Sequence, residues 1–456
     1  MKKTLQQLAN WLEIENQKFQ DIIVTGVSID TRTIQKGDLF IPFRGEAVNG
    51  HRFVEQAFEK GAAASLWMKD EPNPPAHLPL IFIDDPEEAL QQMAIAYRNE
   101  HQATFIGITG SNGKTSSKDI LAGTLAPYYK VQKTIGNFNN QLGLPITILQ
   151  LDEDTEVSVL EMGMSGFGEI EFLTKLARPH YAIITNIGEA HMQDLGSREG
   201  IAQAKFEIVK GLAEDGMLFY DGDEPLLQHL VAQNPTLKTQ SFGFTNGQDL
   251  IASNVVATAH GSSFHVEGII EGEYFISVLG EHQVKNTLNA MLVAKALGLM
   301  DDQIRTSLKQ VVLTDMRMQL IPSGDLLFIN DAYNAAPTSM HAAIHFVEQT
   351  TIRDEKWLVL GDMLELGEDE QRFHEEIASY IHPECIHTIC LYGPRMKWLY
   401  NKLQSKIDAQ HLIYSEQDYA PIIGKIKNNA SEQSILLVKG SRGMQLEKII
   451  TGVGSV

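Results

Sequence analysis

The stretch Thr109-Gly110-Ser111-Asn112-Gly113-Lys114-Thr115 decides how the rest of the chain is read. It follows an apolar run, Phe105-Ile106-Gly107-Ile108, and precedes a helical stretch reaching Leu125, so it predicts a turn between a buried strand and a helix. A phosphate loop requires that context. Glycines let the backbone N–H groups point inward at phosphate oxygens, the helix N-terminus adds a positive partial charge, Lys114 bridges phosphates, and Thr115 can ligate magnesium. The nucleotide candidates are Gly110, Ser111, Asn112, Gly113, Lys114, Thr115 and Ser116. The spacing is the shorter Gly-x-x-Gly-Lys-Thr form, because Ile108 stands where the common P-loop has glycine.

Working outward, apolar strands at Val157–Leu160, Tyr181–Thr185 and Met217–Tyr220 alternate with helical segments, the pattern of a parallel sheet. Residues 241–280 differ: short alternating runs broken by Asn246-Gly247, Gly261-Ser262 and Glu271-Gly272 predict antiparallel hairpins added to that sheet. A helix from about Gln283 to Leu297, stopped by Gly298, closes this part. Before it, residues 1–85 read as a small α/β domain ending where Asp85-Pro86 caps a new helix. After residue 313 a third α/β unit follows, with strands near Leu326–Ile329, Trp357–Leu360, Thr388–Tyr392 and Ile435–Val438. The layout is therefore 1–85, 86–313 and 314–456, in keeping with a 456-residue chain at roughly 150 residues per domain.

Composition narrows the function. The net charge of −21 argues against a broad nucleic-acid or anionic-membrane surface, so anionic partners must meet local basic clusters. No stretch approaches the roughly 18 apolar residues of a membrane span, and no signal peptide follows Met1-Lys2-Lys3. The two cysteines, Cys385 and Cys390, are too few for a disulfide framework and fit a reducing cytoplasm. They lie in His382-x-x-Cys385-x-His387-x-x-Cys390, which reads as a zinc site or, given Ile386, Ile389, Leu391 and Tyr392, as a buried strand. No heptad or association stripe opposes a monomer.

In an open parallel sheet, ligands gather at the carboxyl ends of strands. Glu161 ends one strand and can hold Mg²⁺, and a strand over Tyr181–Ile187 ends near His191. Each alone is compatible with a solvated loop residue; three strand ends meeting on one edge favour a site. Lys205 reads as a helix-surface lysine. His282, Asn286 and Asn289, at i, i+4 and i+7, form one polar helix face that suits solvent or a ligand equally. In the third unit, Asp331-Ala-Tyr-Asn334-Ala-Ala-Pro-Thr338 lies between strand and helix, and Gly361-Asp362-Met363 and Lys439-Gly-Ser-Arg442 are further strand ends, with Lys439 and Arg442 as anion contacts.

Together these motifs resemble the Mur ligase family, ATP-dependent amide-forming enzymes of bacterial cell-wall synthesis. The resemblance implies a three-domain architecture: a central P-loop sheet for ATP, a small N-terminal domain for a UDP-linked substrate and a Rossmann-like C-terminal domain. It implies ATP and Mg²⁺ as cofactors and metal-site roles for Thr115, Glu161 and His191. It also gives His282, Asn286 and Asn289 an adenine-side helix, and Arg317, Asp331, Lys439 and Arg442 the completion of the site on closure. Lys205 aligns with a lysine that this family carbamylates, and Lys114, His191 and Lys205 are the catalytic candidates. Three segments, Asp331–Met340, Gly136–Pro145 with Asn139 and Asn140, and Gly361–Gly367, are similar to the branch that adds D-alanyl-D-alanine to UDP-N-acetylmuramoyl-tripeptide. The Asp-Asn-Pro-Arg string of the diaminopimelate-adding branch and the Asp-x-Ala-His-Asn-Pro string of the folate branch are both missing, and Ala336 stands where many relatives have Asn. Ser28, Thr31 and Arg32 resemble the UDP-binding module, and Asn334 a substrate contact.

Overall fold

A computed structural model of the chain describes residues 1–454 apart from 16, 17, 47, 190, 191 and 259. Three larger sheets carry the architecture. The first has four parallel strands in sequence order, Gly26–Ser28, Asp38–Phe40, Ala64–Met68 and Leu80–Ile83. The run from Ile22 to Ile29, read as one strand, is divided. Ile23–Val24 pairs antiparallel with Lys3–Thr4, whereas Gly26–Ser28 joins the four-stranded sheet. Between them the Thr25 N–H donates to Gly37 rather than to either sheet.

Asp85 then caps the helix Pro86–Glu100 by accepting from the N–H groups of Glu87 and Glu88, with proline at the first turn. This helix packs between the first sheet and the helix Gly143–Leu149, burying Leu90, Met93 and Ala94.

The second sheet has nine strands. At its centre Thr104–Thr109 lies between Val157–Glu161 and Tyr181–Ile184, all parallel, and each strand end faces the loop that opens the helix Lys114–Leu125. Along one edge Met217–Asp221 and Lys238–Gly243 continue in parallel, followed by Leu250–Thr258, Gly261–Gly268 and Gly272–Ile276. The turns at Gly261 and Gly272 close antiparallel hairpins, as read. The turn at Asn246-Gly247 does not, since Lys238–Gly243 and Leu250–Thr258 pair parallel. Side chains account for this: Asp223 accepts from the N–H groups of Phe244 and Thr245, and Asp249 from that of Ser241, which occupies donors that a hairpin would need.

The third sheet runs Gln319–Ser323, Leu326–Asp331, Ser434–Lys439, Glu355–Gly361, Thr388–Tyr392 and Leu412–Ser415, parallel except for its first strand. The two edge strands were not legible in the sequence; Pro322 sits in one, a position tolerated only at an edge. The reading of a buried strand through 386–392 holds for Cys390, whose thiol burial pushes up to about 12, but Cys385 is exposed on a short turn before it. Among the described residues no group of three or more His, Cys, Asp or Glu is arranged to hold a metal. No helix among them is long and apolar enough to cross a membrane.

Candidate functional site: a cleft over the phosphate loop

Two glycines shape the loop. Gly113, at φ 80°, is the last residue before the helix, and a Cβ there would lie 2.5 Å from Asn286 Oδ1. Gly110, at φ 151°, would bring a Cβ to 1.8 Å from Thr185 Oγ1. Neither position accepts a side chain, so the loop can lie flat against the neighbouring strand end. There Asn186 receives it: the Ser111 N–H donates to the Asn186 carbonyl at 3.1 Å and the Asn112 N–H to Asn186 Oδ1 at 3.0 Å. Thr185 and Asn186, missed in the sequence, follow directly on the third strand, which stops at Ile184 rather than Ile187.

Lys114 folds back over the loop and donates to the carbonyls of Gly110 (2.7 Å) and Ser111 (3.4 Å). Burial, with a smaller contribution from Arg317, pushes its ammonium below the ordinary lysine range, opposed by Glu161. Thr115 Oγ1 donates to Glu161 Oε2 at 3.0 Å, and Asn139 Nδ2 to Glu161 Oε1 at 2.9 Å. Helix, strand end and the 136–145 segment thus meet on one buried carboxylate. Asn140, by contrast, accepts from the N–H groups of Leu142 and Gly143 and starts the next helix.

Lys205 is not a surface lysine. It is 1% exposed in the helix Arg198–Phe206, and among the described residues its ammonium makes no hydrogen bond or ion pair. Burial and then the like charge of Lys114 drive it well below its ordinary value. His191, expected nearby, lies outside the described residues.

The opposite walls come from the helix Glu281–Ala296 and the third unit. His282 and Asn286 line the cleft, with Gln283 and Lys285 beside them. Burial keeps the His282 imidazole neutral down to about 4. Asn289 sits deeper, donating to Ser117 Oγ at 3.0 Å, and is not part of the cleft wall. From the third unit, Arg317 lays its guanidinium 4.1 Å from the Tyr333 ring centroid and donates to Thr115 Oγ1 at 3.3 Å. Lys439 Nζ, 3% exposed, donates to Asp331 Oδ2 at 2.6 Å and to the Asn334 carbonyl at 3.0 Å. Thr338 bridges the cleft to Glu189. The enclosed volume is about 260 Å³.

Other candidates stand apart from this cleft. Arg442 is half exposed and paired with Glu447 at 2.7 Å. Asp362 accepts from the N–H groups of Arg395 and Met396 and so caps a helix. Ser28, Thr31 and Arg32 cluster after the first strand of the small sheet: Ser28 donates to the Asp30 carbonyl, and exposed Arg32 forks onto the Asp30 carboxylate, whose proton affinity it lowers.

Fold and cleft define a phosphate-loop α/β protein in which a second α/β unit covers the loop. The chain belongs to the Mur ligase family: residues 23–98 match the Mur ligase family catalytic domain, 108–294 the Mur ligase middle domain, and 316–442 the Mur ligase glutamate ligase domain. It is 44% identical to the UDP-N-acetylmuramoyl-tripeptide--D-alanyl-D-alanine ligase of Bacillus subtilis strain 168, over 99% of this chain and 98% of that one. Its fold is similar to a crystal structure of MurF from Acinetobacter baumannii, with a TM-score of 0.87, 27% identity and coverage of 100% and 99%. It is also similar to MurF ligase from Thermotoga maritima in complex with ADP, with a TM-score of 0.83, 26% identity and coverage of 94% and 97%.

Proposed function

We propose that the chain is an ATP-dependent ligase that joins D-alanyl-D-alanine to UDP-N-acetylmuramoyl-tripeptide, giving the UDP-linked pentapeptide, ADP and phosphate. The observation that carries this reading is the full-length 44% identity to a ligase of that name. The cleft supplies what the chemistry needs. A carboxylate oxygen of the tripeptide bonds to the γ-phosphorus as the bond to the β–γ bridging oxygen breaks, leaving ADP and an acyl phosphate. The dipeptide's amine nitrogen then bonds to the acyl carbon, the carbon–oxygen bond to phosphate breaks, and the amine gives up a proton.

Such a reaction depends on positioning and on neutralising charge, more than on covalent help from the protein. The loop N–H groups and Lys114 hold the phosphates, and Arg317 and Lys439 bring cations from the third unit. His282 and Asn286 flank the base side, with Asn289 supporting the helix from behind. Thr115 and Glu161 are hard oxygen donors 3.0 Å apart, a pair that fits a magnesium ion shared with ATP. Bound there, magnesium would offset phosphate charge. The neutral amine favoured by burial at Lys205 is the form whose nitrogen attacks the carbon of carbon dioxide, pushing a C=O π pair onto oxygen. A new nitrogen–carbon bond and the loss of one proton turn it into a carbamate, which with His191 would add to that donor set.

On this reading residues 1–85 bind the UDP moiety, with Ser28, Thr31 and Arg32 among its contacts. Residues 86–313 bind ATP, and 314–456 close over both; Asn139 from the former and Asn334 from the latter line the cleft and reach the peptide, while Asn140 shapes the turn beside Asn139 and Arg442 stays at the rim. The enzyme works in the cytoplasm as a monomer. Phosphate release measured with the UDP-linked tripeptide plus D-alanyl-D-alanine, and separately with tetrahydrofolate plus glutamate, tests the assignment. Release is expected in the first mixture alone; release only in the second would overturn it.

A further inference from the structure

We propose that Asp119 is a positioning residue: from the phosphate-loop helix it anchors segment 314–318 so that Arg317 is held over the loop. The proposal rests on the nucleotide reading of the cleft. Asp119 is 1% exposed and touches nothing in the cleft itself. Its Oδ2 accepts from both the N–H (2.9 Å) and the hydroxyl (2.6 Å) of Thr314, and its Oδ1 from Lys133 Nζ at 2.6 Å. Lys118, itself buried, stands 3.8 Å from the same oxygen and 4.0 Å from Glu161. Burial pushes the Asp119 carboxyl up, but these cations and hydrogen bonds together hold it below the usual carboxylate range, so the anchor is charged.

The segment needs an anchor. Met316 (φ 63°) and Met318 (φ 52°), on either side of Arg317, both adopt left-handed backbone, a conformation costing roughly 1–2 kcal/mol for each such residue. A free linker would relax out of it. Carboxylates prevent that at both ends: Asp119 grips Thr314, and Asp331 Oδ1 accepts from the Met318 N–H at 3.1 Å. What the strained turn presents is Arg317, with Nη2 on Thr115 and a buried Nε that has no hydrogen-bond partner among the described residues. Asp331 and Lys439 already belong to the cleft wall; Asp119 does not line the cleft and reaches Arg317 through the segment.

A double-mutant cycle tests this. Single variants Asp119→Asn, Thr314→Val and Arg317→Ala, and the pairs Asp119→Asn/Arg317→Ala and Thr314→Val/Arg317→Ala, are compared in kcat/KM for ATP, in ADP affinity and in melting temperature. Loss of a charge-assisted anchor is expected to lower kcat/KM for ATP about tenfold in Asp119→Asn and about threefold in Thr314→Val. Neither substitution should cost more than about twofold when added to Arg317→Ala, since each acts through that residue. Losses that multiply in the double variants would overturn the proposal, as would a lowered melting temperature with unchanged ATP parameters. If Asp119→Asn does not fold, the Thr314→Val pair decides alone, because it leaves no buried charge unpaired. ADP binding to Lys114→Ala separates the underlying reading: affinity equal to the wild type would overturn the nucleotide cleft and the proposal with it.

Discussion

The chain has two junctions between its sheets, and they are built from opposite materials. Where the first sheet meets the second, one apolar core runs through both: Leu5, Val27, Leu66 and Ile83 on one side join Leu144, Ile148, Leu160 and Ile184 on the other, with Leu90 and Met93 between. Where the second meets the third, the cores stay separate, and among the described residues only Leu279 and Ala257 cross into the third unit's cluster. That second junction is made of polar contacts, among them Arg317 to Thr115, Asp119 to Thr314 and Thr338 to Glu189. Apolar burial over a broad surface leaves little freedom to move. A few hydrogen bonds, each worth about 1 kcal/mol net, can break and re-form as substrates enter and products leave. The difference separates a joint that holds shape from one that can carry a reaction cycle.

The largest expected effect falls on the polar side. Lys114→Ala should cut phosphate release by a factor of about 10³ or more, as loss of a preorganised charge at phosphoryl transfer does. Its melting temperature should be nearly unchanged, because the cation it removes is one that burial disfavours. A large stability loss would show that this residue supports the junction rather than the chemistry. The apolar joint should answer in the opposite sense. Leu90→Ala is expected to cost about 2–5 kcal/mol of unfolding free energy while the folded enzyme keeps its kcat. Denaturant unfolding should show one transition spanning both sheets; a separate early transition for residues 1–85 would break the comparison.

A pH effect comes next. His282 is neutral in the folded chain down to about 4, whereas the unfolded chain protonates near 6.5. Between those values the unfolded state binds the extra proton, so stability falls as pH falls, by at most about 3 kcal/mol in total. Melting curves at pH 7 and pH 4.5 should lie closer together in His282→Asn than in the wild type. The smallest effect belongs to Thr338→Val, which removes one bridge to Glu189 and should raise KM by about two- to fivefold with kcat little changed. A change in kcat alone would mean that the bridge acts on chemistry rather than on closure.

Much of the site was legible because phosphate binding is a local problem. One strand, one turn and one helix N-terminus make the loop, and all three lie within residues 104–125. The same holds for Glu161 at its strand end. For Lys205 the family resemblance supplied the candidate role but the local pattern did not supply its burial: the helix Arg198–Phe206 gives no local sign of which face is covered, and it packs against the helix Glu169–Ala177, some thirty residues earlier. Asn289 failed for the converse reason, since periodicity cannot tell a polar face meeting a ligand from one meeting Ser117 of another helix. The Asn246-Gly247 turn misled because carboxylates of Asp223 and Asp249 outcompeted the usual hairpin pairing.

By itself, then, the sequence determined the α/β class, the phosphate loop, the three-part layout as an expectation and, through its motifs, the family. These rest on short-range patterns of glycine, charge and apolar period. Tertiary structure alone decided which junction is apolar and which polar, which lysines are buried, and how Asp119 and Asp331 hold a strained segment with Arg317 at its centre. Each of those depends on residues tens to hundreds of positions apart meeting in a low-dielectric interior, where an unpaired charge is costly and a paired one is held in place.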